Sequence, residues 1–140
     1  MRLIFLTAAL IATACAKEEP AASPGGGVTT YSGGGRDRLC IRNQGDNFRA
    51  GVIVYAPGSN ANCSIRGEYT FFDRMRPLIQ IEGDSCRIEV TGNLDGTLTL
   101  GELHPSCAYY CGPGATLNDK SFTRSPKAEP VTDLAGDPLC

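Results

Sequence analysis

The feature that most limits the fold of this chain is a two-residue period of apolar and polar side chains that begins after Asp37. The clearest example starts at Cys63, where one face of an extended chain is apolar or small and the other is polar. The first face holds Cys63, Ile65, Gly67, Tyr69 and Phe71, and the second holds Ser64, Arg66, Glu68 and Thr70. Because a β-strand places successive side chains on opposite faces, this pattern predicts a strand with one buried face.

Further short segments follow the same period, and turn residues separate them. Strands are predicted at residues 39–42, 51–55, 79–82, 86–91 and 97–100. The segment 51–55 is apolar on both faces and is expected to be a central, covered strand. Short strands joined by turns at regular spacing indicate an antiparallel meander that forms a barrel or a compact sandwich. The predicted fold class is therefore mainly β.

The alternation stops after Leu103. Residues 104–114 are predicted to form a loop pinned by cysteines, and residues 115–122 a short C-terminal helix of about two turns. The candidate buried positions of that helix are Ala115, Leu117 and Phe122. The domain prediction places a single disulfide-stabilised β domain at 37–140.

The first fifteen residues have the anatomy of an export signal. Arg2 supplies positive charge, residues 3–11 form a short apolar run, and small residues precede Cys15. The apolar run is about half of the ~20 residues that a membrane-spanning helix needs. Residues 1–14 are therefore predicted to be a signal peptide.

The segment Ile11-Ala12-Thr13-Ala14-Cys15 resembles the lipobox of bacterial lipoproteins. This resemblance implies that the Cys15 thiol receives a diacylglyceryl group and that the protein is anchored in the membrane. Ala16 after the cysteine resembles the signal for sorting to the outer membrane, facing the periplasm. An ordinary secretory signal is the alternative. Residues 15–36, rich in glycine and proline, are then predicted to be a lipidated N-terminus and a flexible tether.

The chain has seven cysteines, and an odd number leaves one thiol without a disulfide partner in an exported protein. A lipid on Cys15 would leave six cysteines for three disulfides. A hairpin folded between residues 73 and 77 favours a Cys63–Cys86 disulfide, a tight loop favours Cys107–Cys111, and Cys40–Cys140 remains. Six cysteines allow fifteen pairings, so this is a preference. Half of a zinc site at Cys107 and Cys111 is the competing interpretation, although no second ligand pair has a recognisable spacing.

Neither the charge nor the motifs of the chain indicate catalysis or nucleic-acid binding. The formal net charge is −2, and it becomes about −3 when Arg2 is lost with residues 1–14. Nucleic-acid binding needs a basic surface. His104, the single histidine, lies close to Ser106, but a catalytic role would also need an orienting carboxylate. We expect no catalytic, cofactor-binding or metal site, with Tyr109 and Tyr110 as a possible partner-binding surface.

The cysteine-bearing segments L-C-I-R, N-C-S-I-R-G, D-S-C-R-I and S-C-A-Y-Y-C-G-P-G-A resemble those of small bacterial lipoproteins of unassigned function. Tyr55 and the turn after it are distantly similar to membrane-bound lysozyme inhibitors. These resemblances imply a non-catalytic cell-envelope lipoprotein that acts as a binding or structural module. The alternatives are an inhibitor of a cell-wall hydrolase such as lysozyme and an enzyme with a site around His104.

Overall fold

The computed structural model describes residues 27–140, in which eight antiparallel strands form a closed barrel. Each strand pairs with its neighbour in sequence, and β8 pairs with β1 to close the barrel. The strands are β1 (Val28–Ser32), β2 (Arg38–Asn43), β3 (Phe48–Tyr55), β4 (Asn62–Phe72), β5 (Arg76–Gln80), β6 (Arg87–Gly92), β7 (Leu98–Glu102) and β8 (Ser121–Arg124). The prediction of a mainly β meander is confirmed, and the barrel is the form that it takes.

Consecutive strands run in opposite directions, so the connections alternate between two ends of the barrel. One end carries the connections 33–37, 56–61, 81–86 and 103–120, and we call it the upper end. The lower end carries the turns 44–47, 73–75 and 93–97. Gly27, the first described residue, leads into β1 at the lower end, and β8 finishes there as well.

The alternating pattern fills the barrel with apolar side chains. In β4, Cys63 and Ile65 are buried, and Ile79 of β5 packs in the same core. Gly67 faces inward where β5 leaves no room for a side chain, because a Cβ there would collide with the Gln80 carbonyl group. An eight-stranded barrel is just wide enough for side chains to fill it. Each fully buried aliphatic side chain contributes about 1.5–3 kcal/mol.

The first strand lies inside the segment that the sequence predicted as tether. β1 pairs with β2 over five positions and with β8 over two, so the folded domain extends upstream of Asp37 and includes Val28. The tether prediction is therefore wrong for residues 28–36. Two glycine triplets, 25–27 and 33–35, dominate the composition of the predicted tether. The residues V-T-T-Y between the triplets are β-branched or aromatic and have high strand propensity. Residues 1–14, Cys15 and the tether up to residue 26 lie outside the described residues.

The helix predicted over residues 115–122 is not formed, because barrel closure requires a strand there. Phe122 lies opposite Leu98 in the β7–β8 pairing. Leu117 and Phe122 are buried as predicted, and Ala115 is half-buried. Within residues 27–140 the one helix is a 3₁₀ helix at Pro105–Tyr110, inside the predicted loop. No helix in this part of the chain is long and apolar enough to cross a membrane.

All six domain cysteines form disulfides, but two of the three preferred pairings are wrong. The observed pairs are Cys40–Cys140, Cys63–Cys111 and Cys86–Cys107. The β4–β5 ladder extends only to Glu68 and Gln80, after which the chain turns away at the upper end. The segment that holds Cys86 therefore never comes level with Cys63 on the hairpin.

The C-terminal segment crosses the outside of the barrel. Val131 and Leu139 pack on Cys40 and Ile53, the outward residues of β2 and β3. The Cys40–Cys140 disulfide anchors the C-terminus as predicted. Thr30 of β1 fixes the start of the segment, because its hydroxyl donates to the Lys127 carbonyl group at 3.1 Å and accepts from the Glu129 amide at 3.2 Å.

Candidate functional site

The long β7–β8 connection builds a structured surface at the upper end. The 3₁₀ helix Pro105–Tyr110 packs against the β5–β6 connection, residues 81–86, and we call these two segments together the upper platform. Cys107 joins the helix to Cys86, and Cys111 joins its end to Cys63 of β4. The Gly112 amide also donates to the Asn62 carbonyl group at 2.8 Å. The 3₁₀ helix is thus fixed covalently to the β5–β6 connection and, through Cys111 at its end, to β4.

Asp84 is the polar centre of the upper platform. Its Oδ2 accepts from the Tyr110 hydroxyl at 2.7 Å, and its Oδ1 accepts from the Cys86 amide at 2.8 Å and the Ser106 hydroxyl at 3.2 Å. The Tyr110 hydrogen bond, with those from Cys86 and Ser106, lowers the pKa of the Asp84 carboxyl group. The same contact raises the pKa of Tyr110, since the phenol donates to a carboxylate.

His104 caps the 3₁₀ helix. Its Nδ1 accepts from the Ser106 amide at 3.1 Å, and Pro105 occupies the first helical position, where a missing N–H costs nothing. A ring nitrogen that accepts a hydrogen bond carries no proton, so this contact places the proton of the neutral ring on Nε2.

The order of the side chains around Ser106 differs from that of a hydrolytic triad. The Ser106 hydroxyl lies 2.9 Å from His104 Nδ1 and 3.2 Å from Asp84 Oδ1, so the serine stands between the other two. A triad instead places the histidine between the nucleophile and the carboxylate, where it can remove the hydroxyl proton. The geometry therefore suits holding a loop better than activating a nucleophile.

The two tyrosines predicted as a binding surface have different environments. Tyr110 is half-buried and its hydroxyl is bound to Asp84. Tyr109 is 87% exposed, and its ring meets the edge of Tyr110 with centroids 5.5 Å apart. Tyr109 is therefore the aromatic side chain available to a partner, and Tyr110 supports it.

A groove of about 600 Å³ lies at the upper end, between the β1–β2 and β3–β4 connections. The Arg36 guanidinium lies 3.9 Å from the centroid of the Tyr55 ring and donates to Asn60 Oδ1 at 3.0 Å and to the Ser59 carbonyl group at 2.8 Å. These contacts tie the exposed residues 57–60 to the neighbouring connection.

Asp37 forms the floor of this groove. Its carboxylate is buried, accepts from the Tyr55 amide at 2.9 Å and makes an ion pair with Lys120 at 3.5 Å. The pair joins the start of β2 to the segment that leads into β8. Tyr55, Asn60 and Lys120 also line the groove, and these side chains can hydrogen-bond a polar ligand.

Sequence reasoning missed the roles of Asp84 and Arg36. Gly83-Asp84 has the composition of a turn, and the bond of Asp84 to the Cys86 amide, two residues on, is the local contact that a turn aspartate makes. Its bond to Tyr110 spans 26 residues, and that of Arg36 to Asn60 spans 24. No local pattern in the sequence signals contacts of this range.

The comparisons with known proteins give no relatives. No family model, curated protein or solved structure matches this chain. Among the described residues, no group of three or more histidine, cysteine and acidic side chains is placed to hold a metal ion. The sulfurs of Cys107 and Cys111, the competing zinc ligands, are bonded to other cysteines.

Proposed function

We propose that this chain is a non-catalytic cell-envelope lipoprotein, anchored through a lipid on Cys15, whose upper platform binds a protein or cell-wall partner. One observation carries the binding role. The platform is fixed by two disulfides and by Asp84, and it presents Tyr109 at the end of the barrel opposite the N-terminal connection. Its proposed location is the outer membrane, facing the periplasm.

The rigidity of the platform supports a binding role on energetic grounds. Association costs free energy when loops and side chains must be ordered, so a surface that is already fixed loses less. Exposed tyrosines supply large contact area together with a hydroxyl group, and they are frequent among the residues that dominate binding energy. Tyr109 combines both properties, because its ring packs on that of Tyr110 and it lies between Cys107 and Cys111, both of which are held in disulfides.

Crosslinked capture from cell envelopes tests the binding role. The wild-type chain is expected to capture a reproducible partner, and Tyr109→Ala is expected to weaken that capture by roughly thirtyfold, as for a residue at the centre of an interface. Leu134→Ala is the matched control, because Leu134 is also exposed but lies in the C-terminal segment. Equal capture by the wild type and Tyr109→Ala would contradict the assignment of the platform.

Metabolic labelling tests the anchor. Radiolabelled palmitate is expected to enter the wild-type chain and to be absent from Cys15→Ser. Equal labelling of the two chains would contradict lipidation at Cys15 and leave plain secretion as the explanation of the N-terminal sequence.

A second candidate function is inhibition of a cell-wall hydrolase, and the connection 56–61 favours it. Residues 57–60 are exposed beside the groove and are stiffened by Arg36, as a loop inserted into an enzyme cleft would need to be. Lysozyme turnover separates the two candidates. Inhibition that Arg36→Ala abolishes and Tyr109→Ala leaves intact would favour the inhibitor, whereas unchanged turnover would favour the binding module.

A further inference from the structure

The lower end of the barrel carries a concentration of exposed apolar side chains. Leu94 is fully exposed in the β6–β7 turn, and Met75 is 85% exposed in the β4–β5 turn. Among the described residues, five exposed large apolar side chains belong to this end: Phe48, Phe71, Phe72, Met75 and Leu94. Single exposed apolar residues are ordinary, but a group at one end of a small domain marks an interaction surface. We call these five side chains the lower rim.

Strand register explains how the aromatic members of the lower rim are placed. Phe48 lies opposite Tyr69 in the β3–β4 ladder, and Tyr69 meets the edge of the Phe71 ring at a centroid distance of 6.0 Å. Phe48 and Phe71 share the inward parity of their strands, so they border the mouth of the barrel. Phe72 has the opposite parity and lies under the Arg76 guanidinium, 4.9 Å from its ring centroid.

The β4–β5 turn projects its apolar residues at a conformational cost. Asp73 and Arg74 have φ angles of 52° and 61°. Residues with a side chain adopt this left-handed conformation less readily than glycine does. Hairpin turns of type I′ require a positive φ at both central positions and usually place Asn-Gly there. Strained backbone is retained at functional positions more often than elsewhere, and here it holds Phe72 and Met75 at the tip.

The N-terminal connection reaches the barrel at this same end. Gly27 leads into β1 at the lower end, and eleven residues, 16–26, separate it from Cys15. Eleven residues reach at most about 40 Å even when fully extended. A lipid on Cys15 would therefore hold the lower rim close to the bilayer.

We propose that the lower rim docks on the surface of the lipid bilayer and directs the upper platform away from it. The proposal rests on the proposed lipid anchor, since the anchor brings the rim to the bilayer. Aromatic and long apolar side chains are favoured at the boundary between headgroups and acyl chains. The three lower turns carry the carboxylates Asp46, Asp73 and Asp95 against one basic residue, Arg74. Docking is therefore expected on uncharged phosphatidylcholine, without a requirement for anionic lipid.

Tryptophan reporters test the docking, because the chain contains no tryptophan. The full lipidated chain is reconstituted in phosphatidylcholine vesicles whose acyl chains carry bromine, a short-range quencher. Leu94→Trp is expected to lose several-fold more fluorescence than Tyr109→Trp, the matched reporter at the upper end. Equal quenching of both reporters in a vesicle-bound chain would overturn the proposal.

A second set of variants separates lipid from other occupants of the lower rim. The reporter Phe72→Trp is compared with the same reporter combined with Met75→Ser and Leu94→Ser. The combined variant is expected to remain vesicle-bound through its lipid but to lose most of the quenching seen with Phe72→Trp alone. The reason is that removing two apolar side chains that would insert into the bilayer lowers the partition of the lower rim into the membrane by more than about tenfold. Leu134→Ser with the same reporter is the control. A Leu94→Trp reporter shielded from water but insensitive to brominated lipid would show that protein covers the rim, which overturns the proposal.

The two proposals fail in different ways. A chain that does not float with the vesicles contradicts the lipid anchor and removes the basis for docking. A chain that floats with equal quenching at its two ends contradicts the docking of the lower rim alone.

Discussion

The two ends of the barrel are built on different principles. The lower turns have three to five residues and close by contacts within the turn, such as the Asn93 amide to the Thr97 carbonyl group at 2.8 Å. The upper end includes a connection of eighteen residues, 103–120, and two disulfides that join it to β4 and to Cys86, the residue before β6. The lower end can form turn by turn, whereas the upper end depends on the whole barrel.

Two aspartates illustrate this difference. Asp95 in the lower turn accepts from the hydroxyl and the amide of Thr97 at 2.7 and 2.9 Å, and these bonds lower its pKa. The pKa of Asp84 at the upper end is also lowered, but first by Tyr110, which is 26 residues away in the sequence. The physical effect is the same, but the lower end obtains it from its own turn and the upper end from distant contacts.

The largest effect expected at the upper end is the loss of the Cys63–Cys111 disulfide. Its cysteines are 48 residues apart, and a loop of that length restricts the unfolded chain by about 4 kcal/mol. Cys63→Ala combined with Cys111→Ala is expected to lower the free energy of unfolding by this amount, measured with urea under non-reducing conditions. Leu94→Ser at the lower end is the control and is expected to change it by less than about 0.5 kcal/mol.

A loss below about 1 kcal/mol in the double alanine variant would show that the upper end holds its shape without the covalent link. The comparison between the ends would then be wrong in its central point. Cys86→Ala combined with Cys107→Ala gives an internal check, because their separation of 21 residues predicts a smaller loss of about 3 kcal/mol.

The next effect compares two glycines. A Cβ on Gly33 at the upper end would lie 2.9 Å from the Asp37 Cβ and 3.1 Å from the Phe122 ring, whereas one on Gly92 at the lower end would meet nothing within 4 Å. Gly33→Ala is expected to lower the free energy of unfolding by about 1–3 kcal/mol. Gly92→Ala is expected to change it by at most about 0.5 kcal/mol. Equal effects in thermal unfolding would mean that the two ends are equally tightly packed.

The sequence predicted the lower end and the barrel wall well. Alternation identified β4 and the burial of Cys63 and Ile65, although Phe71 on the same face is exposed at the lower end. The β4–β5 turn lies within the predicted hairpin turn at 73–77, and Asp95-Gly96, a pair typical of turns, lies in the β6–β7 turn. Gly96 has a φ angle of 82°, which glycine adopts without strain. Both signals are local, so a single sequence carries them.

The upper end was predicted poorly because its structure depends on distant contacts. Burial of Leu117 and Phe122 was correct, but their secondary structure was not, since the need for a strand between β7 and β1 is a property of the closed barrel. The disulfide pairing failed for the same reason. Cys63 and Cys86 are equidistant from a turn, but the return of residues 103–114 over the upper end decides their partners.

A pKa measurement tests the distant contact of Asp84. Tyr110→Phe removes the largest cause of the lowered pKa, so the pKa of Asp84 is expected to rise toward its ordinary value in a carbon NMR titration. A lowered folded-state pKa stabilises the protein above the ordinary carboxyl range and loses that contribution as the pH falls through the folded value. The wild-type upper platform is therefore expected to loosen below about pH 4.

Tyr109→Phe is the control for this titration, since Tyr109 makes no hydrogen bond to Asp84. The pKa of Asp95 is an internal reference, because its partner Thr97 lies in its own turn. An unchanged pKa of Asp84 in Tyr110→Phe would mean that local amide contacts alone lower it. The upper end would then resemble the lower end in its electrostatics.

The smallest expected effect concerns the cap of the 3₁₀ helix. His104→Ala removes the acceptor for the Ser106 amide and is expected to lower the free energy of unfolding by about 0.5–1 kcal/mol, whereas His104→Asn keeps an acceptor and is expected to lose less. Because we propose a binding module, neither variant is expected to alter a hydrolytic turnover. A measurable turnover that disappears in both variants would contradict the capping role and favour an enzyme at the upper end, with Ser106 between His104 and Asp84 as the first residue to reconsider.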